Sequence, residues 1–449
     1  MVHSDAVFPG MIRRPIGAIT RPGNRSSCWS LSVKTNKFGV TLRIVTVFFL
    51  MAAFHPATTA VLKAQSSTSE LSNLDADLTP EQLKDLLATT CESSRLPALW
   101  AGRFFNDERP AIVAAAGTRK WETEDLAEAD DKVHLGSCTK AMTAAIIGQL
   151  CTEDKLRLDT TLGEVFEDTP LVKDSDWGSV TMEQLLQHRS GAIANFWIYQ
   201  SFDQSNPDSA VAARGALLHA LCRKTRPRAP QFVYSNVGYI VLGHVAEHLE
   251  GKPWEQLVAE RVFRPLGMES AGFGPVGRPD GTADDVVSLP DRPWGHTPEV
   301  GLLAAMASVF GKPTKPGFTP RQIDNSRCLG PAGRVHMNLR DWSKFVMAFA
   351  SKDGNRKLGI SGKVWKQLLT PPSGSDSEQA YAGGWMVFDK PEYNGRAFFH
   401  NGSNTTWYCY ALAIPGKNAC VLVATNVFND PARKACDEVA RFINKSIEP

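Results

Sequence analysis

Apolar positions along this chain follow two rhythms, and the change from one to the other divides the sequence. Leu83, Leu86 and Leu87 recur at helical spacing behind Thr79-Pro80-Glu81, where proline falls in the first turn. Two strand-like runs follow, Ala98–Phe105 and Ala111–Ala116, joined by the turn-rich Asn106-Asp107-Glu108-Arg109-Pro110. From Ser137 to about Asn325 the pattern is mostly helical, broken by Gly/Pro loops. After Trp385 strand-like runs return: Met386–Asp389, Ala397–His400, Thr406–Ile414 and Cys420–Asn426. A closing helix begins at Asp430-Pro431, read as an N-cap followed by proline at the first helical position. Strands at both ends with helices between predict one discontinuous α/β layer carrying a helical insertion.

Ahead of this body lies a different segment. Arg43 precedes Ile44–Phe54, apolar except for Thr46, and small residues follow through Ala57, Ala60 and Ala64. A basic flank, a short apolar core and small residues before a cut make a secretory signal, with Ala60 or Ala64 at the cleavage point. The run is too short for a comfortable membrane anchor, although the stretch before it is long for a signal. The expected organisation is a leader over 1–64, a Ser-rich linker over 65–78, and a catalytic domain over 79–449. Within that domain a sheet lobe is expected at about 79–135 and 335–449, with a helical lobe at about 136–334. The destination would be the periplasm or the exterior, without stable membrane insertion after cleavage.

Charge sharpens this division. The net charge is +2, from 49 Lys+Arg and 47 Asp+Glu, but residues 1–64 hold eight basic residues and one acid. The remaining body is mildly acidic, which leaves no electrostatic footprint for nucleic acid. Nine cysteines contain no C-x-x-C pair, which argues against a zinc ribbon or a thioredoxin-type site. Cys409 and Cys420 flank a hairpin turn at Pro415-Gly416-Lys417-Asn418. If Ile414 faces Ala419, their sulfurs lie ~13 Å apart along one face, too far to bridge. Mostly buried free thiols are expected.

Three short motifs carry candidate chemistry. Gly136-Ser137-Cys138-Thr139-Lys140 opens a strongly apolar helix, and the i, i+3 spacing lets Lys140 reach the Ser137 hydroxyl. A serine needs a base to become a nucleophile, and a lysine serves as one only when burial or a nearby cation lowers its pKa. The second motif is Tyr234-Ser235-Asn236: a tyrosine beside a lysine can shuttle a proton, and an asparagine amide can orient the lysine. The third is His400-Asn401-Gly402-Ser403 at a strand end, where glycine permits close backbone approach and the following N–H groups can face a carbonyl.

Ser137-x-x-Lys140, Tyr234-x-Asn236 and His400-x-Gly402, in that order, resemble the class C β-lactamase and penicillin-binding-protein-like serine hydrolase family. Leu185–Gly191, Lys155–Asp159, Phe263–Met268 and Gly383-Gly384-Trp385 are similar to it as well, over roughly residues 80–445. The resemblance implies an α+β fold: an antiparallel sheet flanked by helices, with an inserted all-α lobe. It implies an acyl-enzyme on Ser137, with Lys140 and Tyr234 sharing base and acid roles, and an oxyanion hole at Ser137 and Ser403 beside Gly402. It implies no metal or organic cofactor, and a small ester, amide or peptide as substrate.

Two departures matter. His400 stands where β-lactamases and penicillin-binding proteins carry lysine, so the permanent charge that attracts a substrate carboxylate is weakened. This tilts the reading towards an esterase or D-residue peptidase, with a true β-lactamase or penicillin-binding carboxypeptidase as the alternative. Cys138, beside the nucleophile, is expected to be a small buried side chain facing away from it. Two other classes compete. A silent binding or sensor module has no physical need for the full Ser/Lys/Tyr/Asn set. His244-Val245-Ala246-Glu247-His248 matches a zinc-peptidase spacing, but the helical wheel puts Glu247 opposite the apolar stripe, predicting a solvated face. His188 and Ser190 are read as structural, Trp385 and Trp407 as core or cleft residues, and loops between about Gly272 and Asn325 as shaping the pocket.

Overall fold

The structure is a computed structural model and describes residues 78–196, 207–227, 231–276, 292–299, 317–375 and 380–447. The predicted leader and all but the last residue of the predicted linker lie outside them. The first helix, α1, spans Pro80–Ser94, and its start is a capping box in which Thr79 and Gln82 exchange side-chain and backbone hydrogen bonds. Strands β1 (Ala98–Phe105) and β2 (Ile112–Gly117) follow. Then come helices α2 (Thr139–Thr152), α3 (Pro207–Lys224), α4 (Asn236–Glu250) and α5 (Leu339–Ala350). The chain returns to strands with β3 (Tyr381–Ala382), β4 (Trp385–Lys390), β5 (Gly395–Ser403), β6 (Tyr408–Ile414) and β7 (Ala419–Thr425), and ends with α6 (Asp430–Lys445).

The strands form one antiparallel sheet in the order β2-β1-β7-β6-β5-β4-β3, so segments from both ends of the sequence meet at the β1–β7 pair. Alternation along each strand sorts its side chains between two apolar layers. Trp100, Phe104, Cys420, Leu422 and Ala424 face a core shared with α2, α4 and α5. Leu99, Ala101, Val421 and Val423 face a second core closed by Leu83 and Leu87 of α1 and Val439 and Ile443 of α6. A sheet covered on both faces needs apolar residues at nearly every position, which is why these strands read as continuous apolar runs. Short strands at Gly272–Phe273, Gly295–Pro298 and Phe318–Arg321 interrupt the long helical stretch.

Ile414 pairs with Ala419, Cys409 with Ala424 and Ala413 with Cys420, the register that keeps the two thiols apart. All eight cysteines of the described residues are free, and all but the half-buried Cys222 are buried. Two expectations are corrected. The closing helix is capped by Asn429, whose side chain accepts the Ala432 N–H at 2.8 Å, while Asp430 is already helical. The second concerns Glu247, which is buried. It is ion-paired with the fully buried Arg214 of α3 and accepts the Trp254 N–H at 2.9 Å. The helical wheel missed this because α3 covers a face that a lone helix would leave to solvent. His244 and His248 both lie against the Phe166 ring, at 5.6 and 4.6 Å between centroids. Among the described residues no group of three potential ligands forms a metal site.

Candidate active site

Ser137 sits on a single 3-10 turn, Gly136–Cys138, that feeds directly into α2. Every residue of α2 from Thr139 to Cys151 is buried, so Lys140 enters an apolar interior at the first turn. Gly136 has φ 47°, and a Cβ there would fall 2.3 Å from the Ser403 nitrogen. A Cβ on Gly402 would fall 2.0 Å from the Leu135 carbonyl oxygen and 2.8 Å from the Ser137 nitrogen. These two glycines therefore allow the end of β5 to lie directly on the nucleophile turn, bringing the Ser137 and Ser403 backbones side by side.

The third component arrives from α4. Ser235 caps that helix by accepting the Gly238 N–H at 3.0 Å, and its own hydroxyl donates to the Ile193 carbonyl at 2.7 Å. The Ser235 N–H donates to His188 Nδ1 at 3.1 Å. Clamped this way, Asn236 turns its side-chain oxygen to Lys140 Nζ at 2.7 Å and donates through Nδ2 to Asn195 at 2.8 Å. Lys140 Nζ also lies 3.0 Å from Ser137 Oγ and 2.8 Å from the Ala332 carbonyl oxygen.

These partners of Lys140 are a hydroxyl, an amide and a carbonyl, and the side chain is completely buried. Dipoles solvate an ammonium less well than water does, so burial brings Lys140 down to about 7. Tyr234 has its ring 4.9 Å from Lys140 Nζ, and its hydroxyl is hydrogen-bonded to Ser137. Burial pushes that phenol above its usual range, keeping it protonated at neutral pH. Ser137, Lys140, Tyr234, Asn236, Gly402 and Ser403 are thus gathered in one place.

His400 is close to them, with its ring 6.2 Å from that of Tyr234, but both its nitrogens are engaged by the protein. Nε2 lies 2.9 Å from the Tyr381 hydroxyl, and Nδ1 faces the Asn401 carbonyl. Cys138 is buried and turned towards the sheet, its sulfur 3.6 Å from the His400 carbonyl oxygen and 3.6 Å from Cys409 Sγ. Trp385 and Trp407 are both core residues, packed on Phe349 and Trp100 respectively.

Several neighbours of the site carry no motif of their own. His188 is buried, with its ring 4.4 Å from both Tyr234 and Tyr381, and burial next to Lys140 holds its pKa well below the usual range. By accepting the Ser235 N–H it braces the segment that carries Tyr234. Asn195 and Tyr381 were missed, because a lone Asn in a loop or a Tyr ahead of Gly383-Gly384 has no distinguishing pattern.

A family model described as Beta-lactamase matches residues 104–445. The chain is 26% identical over 326 residues to "Penicillin-binding protein 4" of Amycolatopsis lactamdurans, covering 69% of this chain and 78% of that protein. It is 24% identical over 329 residues to "Unguisins hydrolase ungD'" of Aspergillus campestris (strain IBT 28561), covering 71% of this chain but only 57% of that protein. Among solved structures, SurE is similar in fold with a TM-score of 0.63 at 18% identity, over 82% of this chain and 76% of that one. So is the D-amino acid amidase from Ochrobactrum anthropi SV3, with a TM-score of 0.59 at 18% identity over 81% and 96%.

Proposed function

The chain belongs to the β-lactamase family, and from that premise we propose that it is an exported serine hydrolase working through an acyl-enzyme on Ser137. Its substrates on this reading are esters or D-residue peptides and amides. Ser137 Oγ attacks the substrate carbonyl as Lys140, brought down to about 7 by burial, takes up its proton. The carbonyl oxygen becomes an oxyanion between the Ser137 and Ser403 N–H groups, which are fixed before reaction and so cost no reorganisation. Tyr234 relays the proton to the leaving group, and water then releases the acyl group along the reverse path.

The observation that carries this reading is the fully buried Lys140 lying 3.0 Å from Ser137 Oγ among uncharged partners. The preference over β-lactams follows from His400, whose nitrogens are turned to Tyr381 and Asn401 and which stands in place of a permanently charged lysine. The Amycolatopsis similarity favours a second reading, a penicillin-binding carboxypeptidase. Support for export comes from the apolar run Ile44–Phe54 with small residues after it, and the division into leader, linker and a two-lobed catalytic domain belongs to the same proposal.

Purified protein treated with a fluorophosphonate should gain one adduct that maps to Ser137, and Ser137→Ala should gain none. Unlabelled protein should turn over p-nitrophenyl esters or D-residue amides faster than a chromogenic cephalosporin. Faster release of D-alanine from a D-alanyl-D-alanine peptide would instead favour the carboxypeptidase reading.

A further inference from the structure

The two N–H groups assigned to the oxyanion come from separate segments, and both segments end on one buried carboxylate. Asp324 follows the short strand Phe318–Arg321, and its side chain is 2% exposed. On one side Oδ1 lies 2.9 Å from Nε2 of the fully buried His134. Nδ1 of that ring accepts the Gly136 N–H at 3.0 Å, one residue before the nucleophile. On the other side Oδ1 accepts from Asn404 Nδ2 at 3.1 Å, one residue after Ser403. Asn404 is itself pinned, because its oxygen accepts the backbone N–H and the hydroxyl of Thr406 at 3.2 and 3.1 Å.

Two further donors reach the carboxylate. Arg334 Nε donates to Oδ2 at 3.2 Å, and the Asn325 N–H donates to Oδ1 at 2.7 Å. Burial alone would push the Asp324 carboxyl up, but His134 and Arg334 hold it below the usual carboxylate range. An isolated buried charge is strongly destabilising, so one held by three hydrogen bonds with His134 Nε2 alongside is a junction rather than a loose contact. Its compensation by Arg334 also matters to the chemistry, since a bare carboxylate here would oppose negative charge growing on the substrate.

We propose that Asp324 is a positioning residue for the oxyanion hole: it aims the Gly136-Ser137 peptide through His134 and the Ser403 peptide through Asn404. One carboxylate thereby sets the spacing between the two N–H groups. The inference rests on the acyl-enzyme reading of Ser137 and adds to it a cause for the hole's geometry. The glycine contacts allow the two segments to touch, and the Asp324 junction fixes how they are oriented.

The test uses Asp324→Ala and Asn404→Ala in the full chain, with p-nitrophenyl butyrate as substrate and phenylboronic acid as inhibitor. Boronate bonded to Ser137 Oγ is tetrahedral and places an oxygen where the oxyanion would be. Asp324→Ala removes the Oδ1 that faces both His134 and Asn404, so both segments lose their anchor. A small misplacement of reacting groups costs about 10²-fold in rate, so kcat should fall by about that factor with KM changed less than about three-fold. Boronate affinity should fall in parallel with kcat/KM. Asn404→Ala frees the Ser403 side alone and should give the same split with a smaller loss, and it carries the test if Asp324→Ala does not fold. Folded variants with kcat and boronate affinity within two-fold of the parent, whatever their melting temperatures, would overturn the proposal while leaving the acyl-enzyme reading intact. Failure of the parent protein itself to label at Ser137 would overturn both.

Discussion

Lys140 and Arg214 are both completely buried cations in the helical half of this protein, and their surroundings make them opposites. Arg214 is held by two carboxylates, Glu247 and Glu255, and by the carbonyls of Arg327 and Cys328. Burial alone would push the Glu247 carboxyl up, but the guanidinium outweighs it and holds that carboxyl below its usual range. The Arg214 cluster therefore stays ionised at neutral pH and serves to lock α3 to α4. Lys140 has only neutral hydrogen-bond partners and no carboxylate, and burial brings it down to about 7 against a smaller upward pull from Cys138. The same burial thus yields a structural brace in one place and a candidate base in the other, and the deciding variable is the presence of a carboxylate.

Removing the candidate base breaks the comparison most severely. Lys140→Ala should lower kcat/KM by ~10²–10⁴-fold with the fold retained by circular dichroism, the range spanned by general-base contributions. Asn236→Asp makes the Lys140 site resemble the Arg214 site, because it places a carboxylate where an amide oxygen now lies 2.7 Å from Nζ. An adjacent opposite charge raises a lysine pKa by about 1–3 units, so the pH midpoint of kcat/KM should move up and the rate at pH 7 should drop correspondingly. A variant whose midpoint stays in place would show that Lys140 is not the titrating base.

The reverse change tests the brace. Glu247→Ala leaves Arg214 short of a partner, and breaking a buried pair costs about 3–5 kcal/mol. Urea unfolding should report that loss, while the Ser137 labelling rate of the folded protein stays near that of the parent. The pair's contribution should also fade as pH falls through the depressed Glu247 pKa, because protonation there removes the charge that Arg214 stabilises. The smallest expected effect is on selectivity. His400→Lys should raise reactivity towards carboxylate-bearing β-lactams relative to neutral esters, and an unchanged ratio would mean this position does not read charge.

The fold was largely legible because its strands are buried on both faces. Ala98–Phe105 stands out as an apolar run, and the observed strand has those same limits. The hairpin register could be deduced from Pro415-Gly416-Lys417-Asn418 alone, since a short turn fixes pairing on either side. The candidate site was legible where its residues sit at fixed spacing, as Ser137 and Lys140 do on one helix turn. What escaped was everything set by distant packing. Arg214 lies 33 residues from Glu247 and covers a face that looked solvated. Asp324 lies far along the chain from both His134 and Asn404, within a loop that no periodicity marks. Tertiary partners of this kind leave no local signature, because each residue alone is an ordinary loop Asp or strand-end His.

The most direct test of the central claim is the rate of fluorophosphonate labelling of Ser137 as a function of pH. A buried Lys140 with no carboxylate partner, activating Ser137, predicts a rate that rises with pH through a midpoint near 7, because only the neutral amine accepts the serine proton. That rise should disappear in Lys140→Ala. A midpoint near 10, a flat profile or an adduct on another residue would contradict the account.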